Sequence, residues 1–251
     1  MLTSGAPMSL HPVNARQRFT TAVAMTLLAV ASPVVAHLSA TTGRQDLLAA
    51  SIGLLVVLVL LPGLRRGSLL AWAALPIAAL ALYAVIQSEH GMALLFIPPV
   101  LINGFMAWVF GRTLAPGSTP LIERVVHAMH GPGSGTVTAE ILVYARHVTV
   151  FWAGLLSALT IVNLLLAALA SPGGLLLIAG LDPAVTVPLA VWSLFANVLN
   201  YVIVAAAFVV EYAARRRRFP QQPYTGFVDF TRKLAAHEAM FRQTSDRNPR
   251  R

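Results

Sequence analysis

Residues 148–170 read VTVFWAGLLSALTIVNLLLAALA, 23 consecutive positions without an ionisable side chain. A helix needs about 20 apolar residues to cross the hydrocarbon core of a bilayer. In lipid an extended segment leaves its amides without partners, whereas a helix satisfies them within itself. Val148–Ala170 is therefore predicted to be a transmembrane helix, and the rest of the chain organises around that assignment. Working outward, four runs of the same kind precede it, at Phe19–Ser39, Leu47–Leu64, Ser68–Gln87 and Met92–Phe110, and one follows, at Val185–Tyr212. The expected fold is all-α: a polytopic membrane bundle of about six transmembrane helices over residues 1–212, then a basic tail over 213–251. Composition agrees, with 57% hydrophobic and 11% charged residues, against roughly 25% charged in soluble domains.

The basic residues orient the bundle. With the N-terminus cytoplasmic, 17 of the 18 Lys and Arg residues fall on the cytoplasmic side, and Arg44 alone falls outside. The positive-inside rule then places both termini in the cytoplasm. A rival reading of the first run takes Val34-Val35-Ala36 for a signal-peptidase site, although the apolar stretch exceeds the usual 7–15-residue signal core. The net charge of +9 lies beside apolar spans, so anionic phospholipid, not nucleic acid, is the expected partner. There is no cysteine, which excludes thiolate catalysis, disulfides and Cys-based zinc sites.

Between the fourth and fifth runs lies the longest polar stretch, 111–147, expected on the cytoplasmic side. Within it Pro120–His130 has helical periodicity. Leu121, Ile122, Val125 and Met129 share one face, and Glu123, Arg124, His127 and His130 share the other, the pattern of an interfacial amphipathic helix. Gly131–Gly135 breaks it, and Thr138–His147 leads as helix into the fifth span. Pro98-Pro99, followed by Asn103-Gly104, is expected to kink the fourth span, as a packing feature or as the lining of a cavity. The apolar run Leu175–Leu181 is too short to span. Arg215–Arg218 is placed to meet lipid headgroups, and Phe227, Phe230, Leu234 and Phe241 suggest a surface helix in the tail. Residues 1–15 read as loose.

Three sets of residues are candidates for chemistry. Glu123, His127 and His130, at spacings of four and three, share a helical face and suit proton transfer or, in principle, a metal; the plainer reading is a solvated polar face. The spacing matches no metal-hydrolase signature, so neither a metal nor a cofactor is assigned. Tyr144, Arg146 and His147 are a candidate anion site, while Tyr144, Arg146 and Trp152 also suit anchoring at the membrane interface. Asn103, Asn163, Asn197, Asn200 and Tyr201 lie within spans, as interhelical hydrogen-bonding groups or as the lining of a substrate path. No Asp, Lys or Arg falls near the centre of a span, which counts against a proton-driven pump.

Several stretches carry a resemblance. They are Gly111-Arg112-Thr113-Leu114-Ala115-Pro116-Gly117, Thr119–Arg124, His130-Gly131, Tyr144–Thr149 with Trp152, Val191–Tyr201, and Glu211-Tyr212 followed by Arg215–Pro220. Over roughly Gly111–Pro220 the chain resembles a family of small bacterial inner-membrane proteins associated with aryl-polyene and xanthomonadin-type pigment gene clusters, some of which carry a ketosynthase label. That label meets no support here, since ketosynthases use a cysteine nucleophile. The resemblance implies an accessory membrane protein for making or delivering an aryl-polyene-type lipid pigment, with acyl-carrier protein or polyene biosynthetic enzymes as partners. It carries over no catalytic residue. Two alternatives stay open: a membrane acyltransferase or other lipid-modifying enzyme using Glu123, His127, His130 and Arg146, and a flippase-like transporter with Asn103, Asn163, Asn197 and Asn200 along its path.

Overall fold

Apolar runs that must satisfy their own amides fold as helices, and helix dominates the residues described by the computed structural model, 12–88, 91–130 and 137–219. In chain order these are α1 (Pro12–Thr42), α2 (Gln45–Arg65), α3 (Leu69–Ile86), a 3₁₀ segment (Gly91–Phe96) running into α4 (Ile97–Arg112), α5 (Leu121–His130) and α6 (Ala139–Leu169). A two-residue strand β1 (Ala170–Ser171), the short α7 (Leu175–Ile178) and β2 (Val187–Pro188) follow. The last stretch is α8 (Leu189–Leu194), a π turn (Phe195–Leu199) and α9 (Asn200–Arg218). Among the described residues five helical stretches are long and apolar enough to cross a membrane: Phe19–Thr42, Gln45–Arg65, Ala93–Arg112, Ala139–Leu169 and Leu189–Arg218. The third predicted run forms the shorter apolar helix α3, of 18 residues. At 1.5 Å per residue it rises about 27 Å, slightly less than a typical hydrocarbon core. The all-α membrane bundle of about six helices therefore holds.

Two compact units divide the chain. One takes the described residues up to Pro98 together with Leu165–Leu199, and the other takes Pro99–Leu164 with the described residues from Asn200 onward. The core of the first unit includes Leu48, Leu95, Phe96, Ala170 and Trp192. Trp192 is fully buried, its ring edge-on to Phe96 at 4.6 Å between centroids. Hydrogen bonds fasten α1 to α2 at two levels: Ser32 Oγ donates to the Ser51 carbonyl at 3.1 Å, and Arg65 Nη1 donates to Thr20 and Thr21 at 3.2 and 2.8 Å. Where α2 turns into α3, Gly63 lets the two helices approach, since a Cβ there would stand 2.8 Å from the Ala71 Cβ.

The same unit holds the stretch between α6 and α8. β1 and β2 pair in parallel, Ala170 with Val187 and Ser171 with Pro188. Gly174 N–H donates to the Ala170 carbonyl at 2.9 Å, an approach that any Cβ at Gly174 would block. The apolar run Leu175–Leu181 provides only the single turn α7, and Leu181 is exposed.

In the second unit the core gathers around Trp152 of α6. Its ring lies 4.6 Å from Phe208 of α9 and 6.3 Å from Phe110 of α4, centroid to centroid. In both units large apolar side chains such as Leu69, Leu70, Val59 and Val209 point outward. In water such continuous apolar surface is unfavourable; against lipid it is not.

Some boundaries differ from the sequence reading. Pro98 and Pro99 do not kink the middle of a helix. They lie in the first turn of α4, after the 3₁₀ segment, where no amide is required to reach back. The last span begins at Leu189, not Val185, because Val187 and Pro188 are committed to β2. Helix α6 starts at Ala139, in keeping with the expected helical lead into the fifth span, whereas α9 runs without interruption past Tyr212 to Arg218. Of residues 1–15, expected to be loose, Pro12–Ala15 belong to α1 and the others lie outside the described residues, as do the Gly131–Gly135 break and the tail helix with Phe227, Phe230, Leu234 and Phe241.

The close approach at Gly63 is testable. Gly63→Ala forces two methyl groups together, and overpacking of this kind costs about 1–3 kcal/mol. The expected result in reversible unfolding from detergent is destabilisation of that order, relieved when Ala71→Gly is added. Gly53→Ala, at a site with nothing within 4 Å of the new methyl, is expected to leave stability unchanged or slightly higher.

Candidate functional site

An amide side chain inside an apolar bundle must find a partner on another helix or leave costly unpaired groups. Three of the five span residues singled out from the sequence do this together, within the second unit. Asn103 on α4 donates from Nδ2 to Asn200 Oδ1 on α9 at 2.8 Å. Asn163 on α6 donates from Nδ2 to the same oxygen at 3.3 Å and to the carbonyl of Leu159, one turn earlier, at 2.8 Å. All three residues are buried, Asn163 completely. The Leu159 carbonyl can only accept, so it fixes which end of the Asn163 amide faces it, and the whole cluster is oriented from there. Asn163 Oδ1 is then left buried with no hydrogen-bond partner.

The other two residues of that set do not join. Tyr201 follows Asn200 in the chain but is 48% exposed. Asn197 lies in the π turn and belongs to the first unit, where its Nδ2 donates to Ser193 Oγ at 3.1 Å. There the sequence reading missed a pair. His37 Nδ1 on α1 is 3.0 Å from Ser193 Oγ on α8, and Ser193 is completely buried. Thr26, Thr42, Thr149 and Thr160 all return their hydroxyl protons to the carbonyl four residues back. Ser193 instead has an imidazole and an amide for partners. The available signal was His37 itself, the one ionisable residue in Phe19–Ser39.

Helix α5 forms as the periodicity predicted, and its start is held by two threonines. The first amides of a helix have no internal partner. Here Leu121 N–H donates to Thr113 Oγ1 at 3.0 Å, and Ile122 N–H donates to Thr149 Oγ1 of α6 at 3.3 Å. Ile122 packs on the Trp152 cluster. On the polar face Glu123 and His127 stand 3.7 Å apart, with His127 half exposed, a geometry worth little in solvent. The His130 side chain lies outside the described residues. Among the described residues no three potential metal ligands come together.

Tyr144, Arg146 and His147 do not converge. The Tyr144 hydroxyl points to Glu211 Oε1 at 3.5 Å, and its ring meets Phe219 edge-on at 5.3 Å. Arg146 and His147 are exposed. Trp152 is 5% exposed, a core residue of the unit. The arginine run divides in two. Arg215 pairs with Glu211 at 3.3 Å, and Arg218 pairs with Glu140 at 3.1 Å; Arg216 and Arg217 are exposed. Arg112 lies over the Trp108 ring at 4.4 Å. No protein-family model matches the chain, and neither the curated proteins nor the solved structures provide a match.

Because Asn200 Oδ1 is a shared acceptor, its loss strands the Asn103 amide and leaves Asn163 Nδ2 with the Leu159 carbonyl alone. Asn200→Leu is expected to cost about 1–2 kcal/mol in unfolding from bicelles, more than Asn103→Leu. The Asn103→Leu/Asn200→Leu double variant is expected to be clearly less destabilised than the sum of the single variants. Strict additivity would show that the amides are not coupled.

Proposed function

We propose that this chain is an accessory integral membrane protein for synthesis or membrane delivery of an aryl-polyene-type lipid pigment, acting as an anchor or as a handler of hydrophobic intermediates. It lies in a bacterial inner membrane with both termini cytoplasmic. The observation that carries the reading is how the residues behind the resemblance are used. Thr113, Ile122, Tyr144, Thr149, Trp152, Glu211 and Arg215 hold one another within the second unit. Residues committed to one another in this way build a scaffold. Exposed Arg216 and Arg217 supply positive charge for anionic phospholipid and for acidic acyl-carrier protein.

The acyltransferase alternative has one observation in its favour, the His37–Ser193 contact, in which an imidazole faces a hydroxyl. Complete burial of Ser193 weighs against it.

Two experiments test the proposal. Reporter fusions after Arg66, Gly117 and Arg218 are expected to be cytoplasmic, and fusions after Thr42, His90 and Gly174 external; alkaline phosphatase activity at Gly117 would defeat the six-span topology. In a deletion strain, pigment is expected to be lost. Glu123→Gln, His127→Gln, His130→Gln and Ser193→Ala are each expected to restore it at matched protein levels. A catalytic acid–base group typically contributes about 10²–10⁴-fold to rate, so loss of pigment in one inserted variant would favour the enzyme. Normal pigment in the deletion strain rejects the function.

A further inference from the structure

Buried polar side-chain atoms nearly always have a partner, either in the protein or in bound solvent. Asn163 Oδ1 is buried and has none. Rotating the amide does not repair this. Exchanging its oxygen and nitrogen would set the oxygen against the carbonyl of Leu159 and against Asn200 Oδ1, the two acceptors that Nδ2 now serves at 2.8 and 3.3 Å. The orphan is therefore a property of the cluster and not of one rotamer.

We infer that Asn163 Oδ1 is the acceptor of an internal site for one neutral hydroxyl donor, either water or the hydroxyl of a membrane-soluble alcohol or phenol. An amide oxygen only accepts, so the occupant must donate. The cluster is made of uncharged amides, and an ammonium ion held there would be desolvated without a counter-charge. A buried water or hydroxyl needs more than one polar neighbour. Asn103 and Asn200 each keep an amide atom outside the bonds that join the cluster. A π turn, Phe195–Leu199, directly precedes Asn200 on the same helical stretch, and single π turns inside α-helices recur beside functional sites. The inference stands apart from the pigment reading and does not need it.

The test uses the full chain in lipid nanodiscs with asparagine labelled at the side-chain carbonyl with ¹³C. The infrared carbonyl band of Asn163 is identified by its disappearance in Asn163→Leu, or in Asn163→Ser if the leucine variant fails to insert. The expected band lies at the lowered frequency of a hydrogen-bonded amide and moves on dehydration of the sample or on addition of phenol. A response to phenol, absent with its non-donating methyl ether anisole, assigns a site open to hydroxyl-bearing molecules. A response to dehydration alone assigns water. A band at the free-amide frequency, indifferent to hydration and to phenol, overturns the inference.

Discussion

Lipid offers a polypeptide no hydrogen bonds, and each feature described above answers that constraint. Backbone amides are paired inside helices. Hydroxyls in the middle of helices, such as Thr149 and Thr160, return their protons to the preceding turn. The exposed first amides of α5 are taken up by Thr113 and Thr149. Residues that cannot settle their polar atoms locally find partners on other helices, and these few places hold each unit together. Between helices there is little hydrophobic driving force within a bilayer, so close packing and occasional polar contacts decide which helices associate. Gly63 against Ala71 is an example of the first, and Asn103 with Asn200 of the second.

This division of labour bears on function. A catalytic constellation needs several chemically able groups converging on one accessible point. Among the described residues most of the able groups scatter or are engaged. Glu123 and His127 form a solvent-side pair, Arg146 and His147 are exposed, and Tyr144 and Arg215 both serve Glu211. The buried clusters, in contrast, are built mainly from amides and hydroxyls, with His37 beside Ser193 as the exception. Such groups bind and orient neutral molecules well, and move protons poorly.

The helical class, the number of apolar runs and the amphipathic α5 were legible in the sequence because each rests on periodicity or run length, which are local quantities. Pairing was not legible. Asn103, Asn163, Asn197 and Asn200 look alike in the sequence, yet three form one cluster while Asn197 turns to Ser193. Which way an amide faces depends on helix rotation, and the π turn at Phe195–Leu199 interrupts the α-helical period on which a wheel argument relies. Trp152 shows the same limit. Its position near the start of the apolar run says nothing of which neighbours cover it, and in the structure Phe110 and Phe208 do so. His37 and Ser193 lie 156 residues apart, and no local pattern joins them.

The short parallel bridge between Ala170–Ser171 and Val187–Pro188 has a consequence for how this chain tolerates change. By holding the end of α6 beside the start of α8, it makes the stretch between them a closed loop whose ends do not depend on its contents. The entropy of closing a flexible loop grows only with the logarithm of its length, about 0.6 kcal/mol per doubling. Residues 175–186 are thus free to lengthen or diversify with little effect on the helices at either side. Gly174 is not, since its backbone completes the closure at the Ala170 carbonyl. Variation among relatives of this chain is accordingly expected to concentrate beyond Gly174 and to stop short of Val187.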